Sequence, residues 1–303
     1  APQSAALAAL PAWLRPNEAS CDLLAHCPTA IPGMNRAQLY VKVAGCRTPA
    51  HQENVDFCAV NINLGPGDCT WWAVDTGSNA EVATQIEVMC TRYGHDYFQG
   101  SWWPDESELA RAGIDVVRFV QRPGETVCVG SGTLHWVRAE GATINVAWNV
   151  GPPTVRQFEA AARRYTLNRA RNIKSIVPMQ ALAWSLLEAD IVKKDAALFS
   201  CVRHFCRLSL REQRRFVELC ATRKIKITMG ASDARNCGMC MVELFNLVAA
   251  VKDKHYCVQC VVQKRGVQVT LRRSLDEMED LLSDVRLTRR DTNSVDVACA
   301  SGQ

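Results

Sequence analysis

The pattern of apolar and polar residues changes character along the chain. From residue 38 to about 150, short apolar runs rich in Val, Ile and Trp alternate with Gly and Pro turns. Such runs predict β-strands. They are QLYVKVAG, FCAVNINLGPG, TWWAVD, DVVRFVQRPG, ETVCVGSG, TLHWVRAEG and ATINVAWNVGPP. Many short strands at close spacing favour a barrel or a double-sheet jelly roll.

Helical periodicity interrupts this strand-rich region and then replaces it. Segments 79–94 and 104–113 predict two helices between strands, and the second opens with Pro and acidic residues, as helices often do. Beyond the strands, apolar residues recur at three- and four-residue steps to about residue 224, which predicts a helical region. A last amphipathic helix is predicted at 274–285, and we expect a disordered polar tail from residue 288.

Size and charge limit the class of protein. The chain has 303 residues, of which 48% are hydrophobic, enough for one large or two medium domains. Its 35 basic and 31 acidic residues are too balanced to indicate nucleic-acid binding by charge alone. The apolar runs are shorter than the roughly 20 residues of a membrane helix, and no secretion signal is visible. We therefore expect a soluble globular protein.

The chain has 15 cysteines, and their odd number and spacing do not suggest a framework of disulfides. We expect a reducing compartment. Singly scattered cysteines are interpreted as small buried apolar residues without chemistry. They are Cys21, Cys27, Cys46, Cys58, Cys69, Cys90 and Cys128.

Four cysteines near the C-terminus form a different pattern. CGMC (Cys237, Cys240) and CVQC (Cys257, Cys260) are separated by 16 residues. Each C-x2-C can direct two thiolates to one centre, and this spacing is typical of a tetrahedral structural zinc site. The alternative is four incidental thiols or two disulfides.

A histidine and a glutamate stand two positions apart in RTPAHQENVDF. In a strand, residues i and i+2 share a face, so His51 and Glu53 could both point into a barrel. His135, in another predicted core strand, could supply a third ligand. Two histidines and one carboxylate form the facial triad of non-haem Fe(II) oxygenases. The spacing alone leaves open a polar pair at a strand start and an unrelated core histidine.

Longer motifs in the same order carry a resemblance. They are QLYVKVAGCRTPAHQENVDFCAVNINLGPGDCTWW, QGSWWPD, RFVQRPGETV, GTLHWV, VAWNVGP and NIKSIVPMQALAW. Together they resemble the catalytic core of UTX-type Jumonji C histone demethylases, the lysine demethylase 6 family. The resemblance implies a mainly β fold with α-helices: a double-stranded β-helix (jelly roll or cupin) core, a helical region and a GATA-like zinc domain.

The resemblance also implies domain limits. We place the jelly-roll core at residues 1–152, for which the resemblance leaves open a truncated N-terminal part, and the helical region at 153–224. The zinc domain with a closing helix follows at 225–287, and the tail at 288–303.

The activity implied by the resemblance is removal of methyl groups from trimethylated and dimethylated lysine 27 of histone H3. The reaction uses Fe(II), 2-oxoglutarate and dioxygen, hydroxylates the methyl group and releases formaldehyde. Zn(II) would occupy the four-cysteine site. The implied partners are the histone H3 tail and a chromatin-associated complex, and the implied location is the nucleus. We expect no membrane association and no sequence-specific DNA binding, since the helix after the zinc site is acidic.

Residue by residue, the family's motif assigns roles to positions of this chain. Iron would be bound by His51, Glu53 and His135. The resemblance implies contacts to 2-oxoglutarate from Lys42, Thr48, Asn61 and Asn145. Tyr40 would line the pocket for the methylated lysine.

The chain departs from the family's usual pattern at several positions. Ala59 stands where a serine is usual, which removes a hydroxyl contact worth about 1 kcal/mol, a roughly five-fold loss of affinity. Residues 142–144 replace the usual Trp and Cys before Asn145, the segment DTGSNAEV lacks aromatic residues, and the zinc spacer is short. Two alternatives therefore stay open: a weakly active or inactive Jumonji scaffold, and a hydroxylase of another protein side chain.

Overall fold

The structure is a computed structural model that describes residues 7–284. Within them, the strands are β1 (Gln38–Lys42), β2 (Arg47–His51), β3 (Cys58–Pro66), β4 (Cys69–Val74), β5 (Val117–Gln121), β6 (Thr126–Val129), β7 (Leu134–Ala139), β8 (Thr143–Val150), β9 (Ile227–Met229), β10 (Leu247–Val251), β11 (Lys254–Tyr256) and β12 (Gln268–Leu271).

The α-helices follow the predicted order. They are α1 (Ala80–Arg92), α2 (Glu106–Arg111), α3 (Val155–Ala170), α4 (Met179–Glu188), α5 (Asp190–Lys193), α6 (Ala196–Thr222), α7 (Val258–Val261) and α8 (Leu275–Asp284). Short 3-10 helices lie at Ala12–Leu14, Leu23–His26, Asn54–Asp56 and Tyr97–Gln99. No helix of this part of the chain combines the length and the apolar character required to cross a membrane.

Two four-stranded sheets form the β core. One has the strand order β1-β8-β3-β6 and the other β2-β7-β4-β5, and every pairing within them is antiparallel. Ala59 and Val129 of the first sheet pack with Trp71 and Val137 of the second, so the two sheets face each other. The predicted double-sheet jelly roll is confirmed.

Side-chain caps explain where several helices begin. Asn79 accepts a hydrogen bond from the N–H of Val82 at the start of α1, and Asp105 accepts one from Glu108 at α2. Caps of this kind satisfy backbone N–H groups that have no partner within the helix. Asn79 and Asp105 lie at the start of the two predicted segments and therefore mark the first turns of α1 and α2.

The helices that follow the sheets share one apolar core with the loop after β2. Val55 and Phe57 of that loop contact the same buried cluster as α3, α4 and α6. Met278 and Leu282 of α8 also lie in this cluster, so the helix predicted at 274–285 packs on α6. The predicted tail at 288–303 lies outside the described residues.

A third sheet surrounds the cysteine segment. Its strand order is β11-β10-β12-β9, with β12 and β9 parallel. Cys220 at the end of α6 is buried with Leu247, Val258 and Val269, so the end of α6 packs against this sheet. The long helix therefore contacts both the helical core and the cysteine segment.

Candidate metal centre and co-substrate cavity

Strand pairing brings the two candidate histidine ligands together. β2 and β7 are antiparallel, and their register places His51 directly opposite His135 after a shift between Thr48 and His51. A bulge of this kind turns side chains toward one point. The ring centroids of the two histidines lie 4.3 Å apart. Residues 84 positions apart in the sequence thus become neighbours.

Glu53 joins the two histidines from outside the strand. The prediction that His51 and Glu53 share one strand is wrong in detail, because β2 ends at His51. Glu53 nevertheless keeps an extended backbone (φ −61°, ψ 151°), which returns its side chain to the side of His51. Its Oε1 lies 3.9 Å from His51 Nε2 and 3.5 Å from His135 Nε2. One donor atom of each residue lies within 4.8 Å of the others.

Backbone carbonyls orient both imidazole rings. His51 Nδ1 lies 2.8 Å from the carbonyl oxygen of Pro49, and His135 Nδ1 lies 3.1 Å from that of Thr133. Since a carbonyl only accepts hydrogen bonds, each Nδ1 carries the proton. Each Nε2 is therefore left without a proton and can bind a metal ion, as in metal-binding histidines.

The electrostatics keep Glu53 and His51 in metal-binding form. Burial raises the pKa of Glu53, but the adjacent His135 and His51, which favour the ionised carboxylate, and a hydrogen bond from Asn149 lower it to about 2. Burial and the neighbouring His135 lower the pKa of His51. At neutral pH the site therefore offers one carboxylate and a neutral His51 imidazole. This donor set fits Fe(II).

A cavity of about 90 Å³ opens beside the three ligands. Most of the predicted site residues line it, together with residues that the sequence did not single out. The lining includes Tyr40, Lys42, Thr48, His51, Glu53, Ala59, Asn61, Trp71 and His135. Asn145 is not part of this lining.

Lys42 supplies a half-buried positive charge to the cavity wall. Burial lowers the pKa of its ammonium group. No carboxylate in the described part of the chain forms an ion pair with it, and its nearest aromatic contact is the ring of Tyr40, 6.0 Å from Nζ. A buried cation without an anionic partner is costly. A dianionic co-substrate such as 2-oxoglutarate would provide that partner.

Asn145 acts through Asn61. It is fully buried, and its Nδ2 donates to Asn61 Oδ1 over 3.0 Å. The Gln121 Nε2 donates to the backbone oxygen of Asn61, also over 3.0 Å. Since the Oδ1 of Asn61 is already occupied, its Nδ2 is the atom left to donate to a molecule in the cavity.

Asn149 is the residue that sequence reasoning missed. It is buried, and its Nδ2 donates to Glu53 Oε2 over 2.9 Å and to the Cys58 carbonyl over 3.1 Å. The carboxylate of Glu53 is thereby held with Oε1 toward the histidines. A signal existed in NVAWNVGP, because Asn145 and Asn149 are four apart on a strand and so share one face. Asn149 is a positioning residue.

Trp71 is a second residue that the sequence did not single out. Its ring stacks on His135 with centroids 5.8 Å apart and planes inclined by 14°. Its Nε1 donates to Gln121 Oε1 over 2.9 Å. The indole thus excludes water from one side of the His135 ring.

Residues 142–144, which differ from the family's usual pattern, lie beside Lys42. Thr143 pairs with Lys42 across β1 and β8, and its hydroxyl donates to the carbonyl oxygen of Gly67 over 2.8 Å. Ile144 pairs with Val41. These residues therefore support the strand that carries Lys42 and do not line the cavity.

Helix α3 holds the loop that follows Glu53. Val55 and Asp56 have positive φ angles of 56° and 53°, which are unfavourable for residues other than glycine. Arg164 Nε donates to Asp56 Oδ1 over 2.9 Å, and Gln157 Nε2 donates to the Asp56 carbonyl over 2.9 Å. The helical region therefore stabilises the strained backbone next to the candidate iron ligands.

The four C-terminal cysteines also converge. The Sγ atoms of Cys237, Cys240, Cys257 and Cys260 all lie within 4.8 Å of one another, and none is in a disulfide. Burial raises the pKa of Cys237, but hydrogen bonds from neighbouring backbone N–H groups lower it to about 7. Burial raises the pKa of Cys257 and Cys260. The four thiols could hold a tetrahedral zinc ion, which would displace their protons.

Comparisons with known proteins agree with this architecture. A family model described as "JmjC domain, hydroxylase" matches residues 38–150. A second, "Lysine-specific demethylase 6/UTY, C-terminal helical domain", matches residues 157–213. The first covers β1 to β8, and the second covers most of α3 to α6.

Two curated relatives align with most of the chain. Lysine-specific demethylase 6B of Homo sapiens is 42% identical over 269 residues, which are 86% of this chain and 16% of the relative. Lysine-specific demethylase jmjd-3.1 of Caenorhabditis elegans is 33% identical over 245 residues, 79% of this chain and 22% of the relative. The chain thus spans less than a quarter of either relative's length. It belongs to the Jumonji C proteins of the lysine-specific demethylase 6 family.

Proposed function

We propose that this chain is the catalytic region of a 2-oxoglutarate-dependent histone lysine demethylase. Its substrate would be tri- and dimethylated lysine 27 of histone H3. The observation that carries the proposal is the convergence of His51, Glu53 and His135 beside a cavity that is also lined by the half-buried Lys42. The relatives, whose names are those of lysine demethylases, support the substrate class.

Different residues would bind the iron and the 2-oxoglutarate. His51, Glu53 and His135 would hold Fe(II), and Asn149 with the two backbone carbonyls keeps their donor atoms aimed at one point. Lys42 would bind the distal carboxylate of 2-oxoglutarate. When bound together, iron and 2-oxoglutarate activate dioxygen for hydroxylation of a carbon–hydrogen bond.

Tyr40 is placed to receive the substrate. It is 40% exposed and lines the cavity with Lys42, two positions away on β1. A methylated lysine side chain that passes Tyr40 would bring one N-methyl group toward the metal ligands. After hydroxylation of this methyl group, its C–N bond breaks and the carbon leaves as formaldehyde. A tri- or dimethylated lysine thus loses one methyl group per turnover.

We further propose a nuclear, chromatin-associated protein whose partner is the histone H3 tail. The balanced charge and the acidic helix α8 do not favour sequence-specific DNA binding. The four cysteines would bind Zn(II) as a structural site next to the helical region.

The proposal is tested with a histone H3 peptide trimethylated at lysine 27. The purified chain, supplied with Fe(II), 2-oxoglutarate and ascorbate, should remove methyl groups one at a time, seen as successive losses of one methylene mass. His51→Ala should abolish turnover, whereas His255→Ala, at an exposed histidine outside the cavity, should not. An unchanged peptide mass with the native chain would contradict the proposal.

Ala59 favours a second candidate, a scaffold with weak or no turnover. It is buried in the cavity wall where the family usually has a serine. Binding of 2-oxoglutarate to the iron-loaded chain, without loss of peptide mass, would support the scaffold. An added oxygen retained on a peptide would instead indicate a side-chain hydroxylase.

A further inference from the structure

Gln52 stands between the candidate iron ligands His51 and Glu53, and its side chain is not part of the lining of the co-substrate cavity. The pairing of β2 with β7 ends at His51, so Gln52 and Glu53 lie beyond the last paired residues of this ladder. Strand pairing therefore does not hold the backbone of Glu53 against the start of β7, where His135 lies. Side-chain hydrogen bonds of Gln52 take over at this point.

The amide of Gln52 binds two turns next to the start of β7. Its Nε2 donates to the carbonyl oxygen of Gly132 over 2.7 Å and to Thr76 Oγ1 over 3.0 Å. Thr76 Oγ1 donates to the same carbonyl over 2.7 Å and accepts from the backbone N–H of Leu134 over 3.2 Å. Leu134 directly precedes His135. These four hydrogen bonds join the segment of the first two ligands to the segment of the third.

The two turns also touch through their backbones. A Cβ atom added to Gly132, which has a φ of +70°, would lie 2.8 Å from the Cα of Gly77. A Cβ atom added to Gly77 would overlap the carbonyl oxygen of Ser131. Glycine at both positions permits this close approach. The hydroxyl of Thr76, next to Gly77, is therefore placed against the start of β7 by backbone contact.

Arg164 of α3 binds the other end of the Gln52 amide. Its Nη2 donates to Gln52 Oε1, and its Nε donates to Asp56 Oδ1 over 2.9 Å. A guanidinium only donates and the carbonyl of Gly132 only accepts, so these partners determine the orientation of the amide. Both N–H groups and the oxygen of the amide are thus hydrogen-bonded. A polar network in which every member is satisfied rigidifies the backbone that carries it.

We propose that Gln52 and Thr76 are positioning residues of the candidate iron centre, an inference that rests on the proposed function. Gln52 fixes the backbone between the first two ligands against the turn that precedes His135. Asn149 orients the carboxylate of Glu53 itself. Gln52 and Thr76 instead set the distance between the two segments that carry the ligands, and a single metal ion can bind all three donors only at the right distance.

Binding of Mn(II) tests the proposal, because this ion is stable in air and binds oxygen and nitrogen ligands. Electron paramagnetic resonance of the free ion measures its affinity for the whole chain with zinc already bound. Gln52→Met and Thr76→Val remove hydrogen-bonding groups but nearly keep the side-chain shape, and each should weaken binding about tenfold. The double variant should lose little more than either single variant, since both residues act in one network. Thr76→Ser keeps the hydroxyl and should bind Mn(II) like the native chain.

Thr70→Val is the matched control. Thr70 is 4% exposed and Thr76 is 6% exposed, but the hydroxyl of Thr70 donates to Glu140. Both Thr→Val variants should lower the midpoint of thermal unfolding, because each leaves a buried polar partner without its hydrogen bond. Only Thr76→Val should also lower the affinity for Mn(II).

Two results would overturn the proposal. One is native affinity for Mn(II) in both Gln52→Met and Thr76→Val, whose role would then be structural only. The other is an equal loss of affinity in Thr70→Val, because general destabilisation would then explain the effect. If the native chain binds Mn(II), these two variants bind it more weakly and the native chain removes no methyl group from the histone peptide, the proposed function fails but the positioning role is supported. Circular dichroism verifies that the variants remain folded.

Discussion

The two candidate metal centres draw their ligands from very different distances along the chain. His51 and His135 come from different strands of a sheet, and hydrogen bonds to carbonyl oxygens and to Asn149 orient the centre without a metal. The four cysteines come from two local turns, and the hydrogen bonds that the Sγ of Cys237 accepts come from backbone N–H groups of these same turns. Sheet packing therefore preforms the first centre, whereas a metal must complete the second.

This difference has an energetic reason. The histidines lie on strands whose register is determined by the buried faces of both sheets. The cysteine segment contributes only a small sheet and a short helix, so zinc binding would supply much of its folding free energy. Loss of zinc should therefore unfold a region, whereas loss of iron should only stop catalysis.

The largest effect is expected from Cys257→Ser. Loss of one thiolate should remove zinc and raise amide hydrogen exchange in β10 and β12 by orders of magnitude, while β7 and β8 stay protected. Hydrogen exchange with mass spectrometry measures both regions at once. The control Cys46→Ser changes an exposed cysteine outside the cluster. Unchanged protection of β10 would mean that the small sheet is stable without zinc.

Lys42→Met tests whether the preformed iron centre binds 2-oxoglutarate through the cation of Lys42. It removes the half-buried cation while keeping an unbranched side chain, so the affinity for 2-oxoglutarate should fall about tenfold to a hundredfold. Calorimetric titration of the iron-loaded chain measures this change. Thermal stability should be retained, because Lys42 has no ion pair among the described residues. Equal affinity in the variant would place the distal carboxylate elsewhere.

Asn149→Ala tests whether the iron centre is oriented in advance. Without its Nδ2, Glu53 Oε2 loses a hydrogen bond, and the affinity for iron should fall about tenfold to a hundredfold. The control Asn79→Ala removes the cap of α1, which costs about 1 kcal/mol of stability but lies outside the centre. If both variants bind iron alike, Asn149 has only a structural role.

The smallest effect is a gain from Ala59→Ser. A hydroxyl at this buried position of the cavity wall should restore a hydrogen bond to 2-oxoglutarate and lower its KM about fivefold. Ala73→Ser, on β4 outside the cavity wall, is the matched control. No change in KM, with a normal fold, would show that the hydroxyl missing at position 59 does not limit the binding of 2-oxoglutarate.

The sequence alone was sufficient to predict those features that depend on residues close together in the chain. The paired C-x2-C motifs identified the four cysteines, and the opening with Pro and acidic residues placed a helix at 104–113, close to the observed α2. Alternating short strands predicted the jelly roll. These features depend on residues close together in the chain, so their spacing carries the information.

Tertiary structure decided everything that depends on long-range register. The pairing of His51 with His135 follows from the β2–β7 ladder, and the position of Asn145 behind Asn61 follows from β3 and β8. Asn149 had a period-two signal, but only packing shows that it meets Glu53. Likewise, helical periodicity predicts an apolar face on α6 but not which side α8 covers. Contacts across many residues arise from packing, which local patterns do not specify.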